Sequence, residues 1–274
     1  MAGFDFTLIL CTCGRTAEVA EFFSALDRDT DRDLTLQIFV VDQNEDDRLS
    51  PVVERYKTRW TVEHVRSRIK GISLARNLVL DRIDGEFVAF PDDDCIYLDG
   101  ALRKVGSFFA AHPKTDVVMG CWGDIAGPTF PPRFEKKVGR FSLFKHGEAF
   151  VQFYRRRVIE AVGAFDTDFG PGPQSKYPCG GDDSDYLLRA ALAGFEIRRV
   201  SEIHIAHPMQ NVEGFSADKI VGYGVTRMKL LKKHRMPLWF ELANVLYPLL
   251  QMLRHPGAAK YFAAMLRGRL KGMR

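Results

Sequence analysis

The chain has 274 residues, 46% hydrophobic and 27% charged, with a formal net charge of +4. That suffices for one large cored domain, or for one domain and a smaller appendage. No run reaches the roughly 20 uninterrupted apolar residues of a membrane-spanning helix, and five scattered cysteines without a C-x-x-C pair argue against a disulfide framework or a zinc site.

In chain order, "FTLILCTC" (6–13) predicts a buried first strand rather than a secretion signal, because no basic segment precedes it. It would carry Cys11 and Cys13 as inert buried thiols in a protein of the reducing cytosol. A helix is predicted over 16–26, a strand over 35–44, a helix over 49–59 and a short strand over 61–67. Residues 71–83, "GISLARNLVLDRI", suit an N-capped helix. The apolar run "GEFVAF" follows and ends in Pro91 and three acids. A helix over 99–112 and a strand over 116–122 come next. The Gly- and Pro-rich stretches 127–137 and 169–181 read as loops of functional length. "DDSDYLLRAALAGFEI" (182–197) reads as a helix with acids in its first turn and Gly194 at its end. Residues 197–208 form a strand that ends in His207-Pro208. The alternation of strands and helices predicts an α/β fold, a sheet flanked by helices.

Ligands of open α/β sheets sit outside the carboxyl ends of the strands. Here those ends carry Thr12 to Arg15, then Asp42, Gln43 and Asn44, then Asp92, Asp93 and Asp94. Asp42 can accept hydrogen bonds from a nucleoside, and Asp92 and Asp94 can hold a divalent cation beside substrate phosphates. The alternative is a solvated turn in which Asp92 or Asp94 caps the next helix. "RSRIKGISLARN" (66–77) adds Lys70 and Arg76, either as a surface helix entry or as nucleotide contacts. Asp182 or Asp183, behind Gly180-Gly181, can serve as general base or merely as helix N-terminal charge. His207 is a candidate ligand or phosphate contact.

Six motifs in one order, "TCGR", "VVDQN", "KGISLARN", "FVAFPDDD", "GGDDSDYLLRAALAGFEI" and "IHIAHP", resemble the family 2 glycosyltransferases from about Phe6 to Pro208. The resemblance implies a GT-A fold, a Rossmann-like mixed sheet flanked by helices, and an inverting enzyme using a nucleotide-sugar donor, a UDP-sugar first among them. It implies Mg2+ or Mn2+ held by Asp94 with Asp92 and His207. Thr12, Arg15, Asp42, Asn44, Lys70, Arg76, Asp92 and Asp93 would bind the donor. Asp183 would be the base, with Asp182 replacing the family's usual Glu. The acceptor would be a carbohydrate or lipid-linked glycan in bacterial surface polysaccharide or glycoconjugate synthesis, and residues 142–153 fall where acceptor-side strands would lie. The rival classes are a nucleotide-sugar-binding protein without turnover and a nucleotidyltransferase. The second expects a Gly-rich phosphate loop, and "CTCGRTAE" supplies one Gly. No aromatic spacing suggests a base-stacking module, so no nucleic-acid partner is expected.

The catalytic domain is expected over 1–212 and a basic amphipathic helical extension over 213–274. About a dozen Lys and Arg face the single acid Glu241 beyond residue 219. Pro237 and Pro248 predict several short helices. Three destinations suit such helices: an anionic bilayer at the inner face of the cell membrane, the catalytic domain, or a second subunit.

Overall fold

The computed structural model describes residues 3–145, 147–209 and 214–274. The expected boundary between residues 212 and 213 lies outside the described residues. Strand β1 (Phe4–Thr12) pairs in parallel with β2 (Leu36–Asp42) and β4 (Gly85–Ala89), and β2 pairs in parallel with β3 (Thr61–Arg66). β1 is buried without interruption from Phe6 onward, as a strand covered by helices on both faces must be. Helix α1 (Ala17–Arg28) lays Val19, Phe22, Phe23 and Leu26 on the sheet, one stripe at helical spacing.

β8 (Gln152–Arg155) runs antiparallel to both β4 and β6 (Val117–Asp124), so β6 points the same way as β1–β4. β9 (Ile197–His207) is parallel to β6 and therefore ends at the same edge. Between β4 and β6 the chain makes β5 (Ile96–Leu98), which sits antiparallel to β9 with Ile96 opposite Ala206, and then α4 (Ala101–Ala111). β7 (Glu135–Lys137) borders β9 inside a stretch expected to be wholly loop. The order is β3-β2-β1-β4-β8-β6-β9-β5. Sheet direction alone thus delivers Thr12, Asp42, the Asp92–Asp94 run and His207 to one edge.

Several local expectations need correction. The helix expected over 71–83 is α3 (Ile72–Asn77) followed by one 3-10 turn. It stops where the Asn77 amide exchanges two hydrogen bonds with the Phe165 backbone. Ser73 does not cap it, for its hydroxyl donates to the Phe169 carbonyl. Neither Asp92 nor Asp94 caps α4. The buried Asp31 carboxylate accepts the Leu102 and Arg103 N–H groups instead. Cys11 is buried and its thiol pKa is pushed up to about 12, by burial first. Cys13 lies past the strand end and is exposed, not buried.

Helices α5 (Arg156–Val162) and α6 (Asp182–Leu192) precede β9, and α7 (Ala217–Lys233), α8 (Leu238–Arg254) and α9 (Ala259–Met273) close the chain. Pro237 marks the start of α8, but Pro248 sits inside it without breaking it. Proline at that position deprives the Asn244 carbonyl of its helical partner, and the Arg269 guanidinium donates to that same carbonyl. None of the described helices is long and apolar enough to cross a membrane.

Candidate active site

A cleft of about 870 Å³ opens at the carboxyl edge of the sheet, lined by Thr12, Cys13 and Arg15 after β1, Gln43 after β2, Lys70 and Arg76 around α3, Asp92 and Asp93 after β4, Asp182 and Asp183 on α6, and His207.

The three consecutive acids are divided by their partners. Asp93 accepts from Thr12 Oγ1 at 2.7 Å and pairs with Arg15 Nη1 at 2.5 Å. The same Nη1 lies 2.6 Å from Asp94 Oδ2. Asp94 Oδ1 stands 3.1 Å from His207 Nε2, and Asp92 Oδ2 3.7 Å from it. This placement follows from β5, whose Ile96 pairs with Ala206 and pulls the acids against the end of β9. Arg15 and His207 are therefore what the chain sets against its acid cluster.

Asp92, Asp94 and His207 each present one ligand atom within 4.8 Å of the others. The His207 ring is fixed: Nδ1 lies 2.8 Å from the Pro208 carbonyl, and Phe150 stacks on it at 4.4 Å with 4° between planes. With Nδ1–H donating to that carbonyl, Nε2 is the nitrogen turned to the carboxylates, and its lone pair becomes available to a metal once the proton it shares with Asp94 has left. Asp92 and His207 line the cleft, and with Asp94 beside them they offer two carboxylates and an imidazole, which suit Mg2+ or Mn2+ with positions kept for phosphate oxygens. Burial pushes Asp92 up to about 6, against the opposing charges of Arg76 and His207. Asp94 is held below its usual range: burial opposes this, but the hydrogen bond and charge of His207 prevail.

Asp182 and Asp183 sit side by side at the start of α6 with opposite surroundings. Asp182 is buried, with Oδ2 2.7 Å from Arg76 Nη1. The Arg76 guanidinium lies between the rings of Phe90 and Phe165, at 5.5 and 5.0 Å. Asp183 is half-buried, and among the described residues its one side-chain hydrogen bond is to the Ser184 N–H. Burial, then the adjacent Asp182 charge, raises its pKa well above the usual carboxylate range. Of the pair, Asp183 is the carboxylate at liberty to take a proton. Gly181, at φ 95°, makes the turn into α6, and a side chain there would press into Thr226 and Phe169.

The structure does not bring every predicted residue to the cleft wall. Asp42 is fully buried, accepting from the Asn44 N–H and side-chain amide at 2.8 Å and lying 2.8 Å from His64 Nε2. Asn44 in turn accepts from the Gly14 N–H at 2.6 Å, tying the two loops together. The intervening Gln43 lines the cleft and holds the Gly71 N–H at 2.6 Å. Lys70 faces the cleft and pairs with Glu45 at 3.2 Å. Arg76 reaches Asp182 rather than standing free for a nucleotide. Residues 142–153 supply Glu148, Ala149 and Phe150 to the wall, on 3-10 turns before β8 rather than on strands.

The sequence placed Gln43 at a strand end and residues 142–153 on the acceptor side but marked no role for Gln43, Glu148 or Phe150, and it missed that α7 and α9 complete the cleft with Tyr223, Thr226, Arg227 and Arg269. α7 is pinned to α6: Lys233 Nζ and His234 Nε2 each lie 2.6 Å from Asp185 Oδ1. The Gly222 and Gly224 pair in α7 is the signal that was available, since small residues mark close packing.

The profile described as "Glycosyl transferase family 2" matches residues 7–166. No curated protein sequence matches the chain. Among solved structures, S. aureus TarS superposes with a TM-score of 0.65 at 16% identity over 95% of this chain, which spans 55% of TarS, about half its length. The TarS 1–349 fragment in complex with UDP-GlcNAc gives 0.65 at 16%, covering 97% of this chain and 92% of the fragment. A mannosyltransferase, PcManGT from Pyrobaculum calidifontis, in complex with GDP-Man and Mn2+, gives 0.66 at 15%, over 98% of this chain and 87% of its own. At these identities the likeness establishes the fold, a GT-A sheet with flanking helices.

Proposed function

This chain belongs to glycosyl transferase family 2, and we propose that this glycosyltransferase is inverting and divalent-metal-dependent, moving a sugar from a nucleoside-diphosphate sugar to an acceptor hydroxyl. One observation carries the reading: a single cleft holds Asp92 and His207 on one wall and Asp183 on another, while Arg76 occupies Asp182.

Asp92, Asp94 and His207 would hold Mg2+ or Mn2+. When bound, that ion supplies Lewis-acid stabilisation of the negative charge on the departing diphosphate. Thr12 and Arg15 keep Asp93 and Asp94 oriented from the donor side, and the positive charge of Arg15 offsets the repulsion among the acids. Gln43, Lys70 and the Gly71 turn line the approach for the nucleoside. Asp42 would act from behind, by setting Asn44 and His64. Asp183 would take the proton of the acceptor hydroxyl as it attacks the anomeric carbon. Attack on the face opposite the leaving group inverts the configuration in a single displacement.

The setting we propose rests on the C-terminal helices. α8 exposes Leu238, Trp239, Leu242, Leu246, Leu249, Leu250 and Leu253, a stripe along one helix, with Arg254, Lys260, Arg267, Lys271 and Arg274 exposed after it. We place this surface on an anionic bilayer, at the inner face of the cell membrane, with a carbohydrate or lipid-linked glycan acceptor in surface polysaccharide or glycoconjugate synthesis.

The test is a panel of nucleotide sugars, UDP-sugars first, with Mn2+, scored by thermal shift and donor hydrolysis. Stabilisation and hydrolysis by one donor support the assignment. Stabilisation with neither hydrolysis nor transfer to an acceptor points to a binding protein, and silence across the panel removes the donor assignment.

A further inference from the structure

Arg15, Lys70 and Arg76 on the cleft wall are each paired with an acid, and two further cations there have no acid paired to them among the described residues. Arg227 comes from α7 and Arg269 from α9. Arg227 Nη2 donates to the Phe144 carbonyl at 2.8 Å, with its guanidinium 4.6 Å from the Phe144 ring centre. Arg269 Nη1 donates to the Asn244 carbonyl, with its guanidinium 5.3 Å from the Tyr247 ring centre. That leaves Arg227 Nη1 and Arg269 Nε, both buried and both without a hydrogen-bond partner among the described residues.

The arrangement is built by the backbone. A Cβ at Gly268 would stand 2.2 Å from the Val221 carbonyl oxygen, and one at Gly224 2.8 Å from that of Met265. α7 and α9 therefore touch main chain to main chain, and the two arginines follow these glycines on rigid helices. Burial pushes each guanidinium down to about 10, and for Arg227 the nearby Arg269 charge adds to this. Two buried like charges without a carboxylate are costly to hold. Guanidinium groups offering free N–H donors suit an oxyanion better than any other ligand. A Cβ at Gly181, which leads into α6 and Asp183, would stand 2.7 Å from Thr226 Cγ2, so Arg227, the next residue of α7, lies on the side of the proton acceptor, and the Asp183 charge acts on it.

We propose that Arg227 and Arg269 form an anion subsite for a phosphoryl group of the acceptor, so that the acceptor class is a phosphorylated glycan or polyol; this rests on reading the cleft as a glycosyl-transfer site. The subsite would hold the acceptor's phosphate while a neighbouring hydroxyl meets Asp183.

Calorimetric titration of the full-length, metal-free protein with inorganic phosphate and with glycerol 3-phosphate tests it. Saturable binding is expected, at least tenfold weaker in Arg227→Gln and in Arg269→Gln. Neither variant breaks an ion pair, but each loses a donor to a main-chain carbonyl, of Phe144 or of Asn244, so a somewhat lower melting temperature is expected and circular dichroism checks that each is folded before titration. If either fails to fold, Arg227→Lys, which keeps the charge but loses the fork, should still bind phosphate more weakly than the parent. Unchanged phosphate affinity in the variants, or acetate binding as tightly as phosphate, overturns the proposal. In a second arm the wild-type protein is saturated with UDP or GDP and Mn2+ before phosphate is added. Continued phosphate binding supports an acceptor subsite, whereas competition shows that the arginines serve the donor diphosphate and overturns the acceptor assignment. Neither arm reads turnover, so a failure of glycosyl transfer and a failure of this subsite remain distinguishable.

Discussion

Arg76 Nη1 stands 2.7 Å from Asp182 Oδ2 with both side chains buried, and this one pair separates two adjacent aspartates into one held by an arginine and one bonded only to the Ser184 N–H among the described residues. Asp183→Asn should lower turnover by about 10²–10⁴-fold, the usual contribution of a general base, with nucleotide affinity unchanged. Arg76→Met should act elsewhere. It leaves a buried carboxylate unpaired, and denaturant unfolding should register a loss of about 3–5 kcal/mol. A fall in donor affinity equal to the fall in turnover for Asp183→Asn would reassign the base.

The environment of Asp183 also sets a pH dependence. Burial and the neighbouring Asp182 raise its pKa, so the deprotonated base is lost on acidification at a pH above the ordinary carboxylate range. The acid limb of kcat should therefore lie well above pH 4. Linkage gives the stability sign. A raised folded-state pKa means the group's stabilising contribution is present below the unfolded value and disappears as pH rises through the folded one. Asp183→Asn should then be more stable than the parent at neutral pH and lose that advantage in acid. Identical stability–pH curves for the two proteins would contradict the assigned environment.

The Asp92, Asp94 and His207 set makes metal dependence a prediction. Chelation should arrest donor hydrolysis, and Mn2+ or Mg2+ should restore it. Loss of an outer partner of a metal ligand typically costs about 10–100-fold in affinity or activity, so Asp94→Ala or His207→Ala should raise the half-saturating Mn2+ concentration by at least that. Full activity in a chelator would remove the ion from the mechanism.

What could be read in advance differs by the range of the interaction. Strands β1, β2 and β9 and helices α4 and α6 were legible because burial periodicity, glycine stops and acidic first turns are local signals. The edge where Asp94 meets His207 was legible as a list of motifs, yet the contact itself depends on β5, three residues too short to carry a pattern. Asp42 read as a ligand contact because it ends a strand, but His64, which covers it, comes from β3, 22 residues on. Pro248 read as a break because propensity is local, whereas Arg269, 21 residues later, satisfies the carbonyl that proline frees. The arginines of α7 and α9 looked like part of a basic tail, since no local pattern tells a cation facing solvent from one folded back into a cleft.

The α8 stripe yields the last prediction. Leu250 and Leu253 are 54% and 80% exposed, so changing both to Glu removes no core contact and should leave the melting temperature within the range of surface substitutions. Burying each leucine in a bilayer interface would contribute about 1.5–3 kcal/mol, and the nearby basic residues about 1 kcal/mol each on an anionic surface. Wild-type protein should therefore co-sediment with vesicles containing phosphatidylglycerol, less so at high salt, and the double variant should bind at least about 100-fold more weakly. Concentration-dependent dimerisation of the wild type, abolished in the variant and unaccompanied by vesicle binding, would assign the stripe to a second copy of the chain instead.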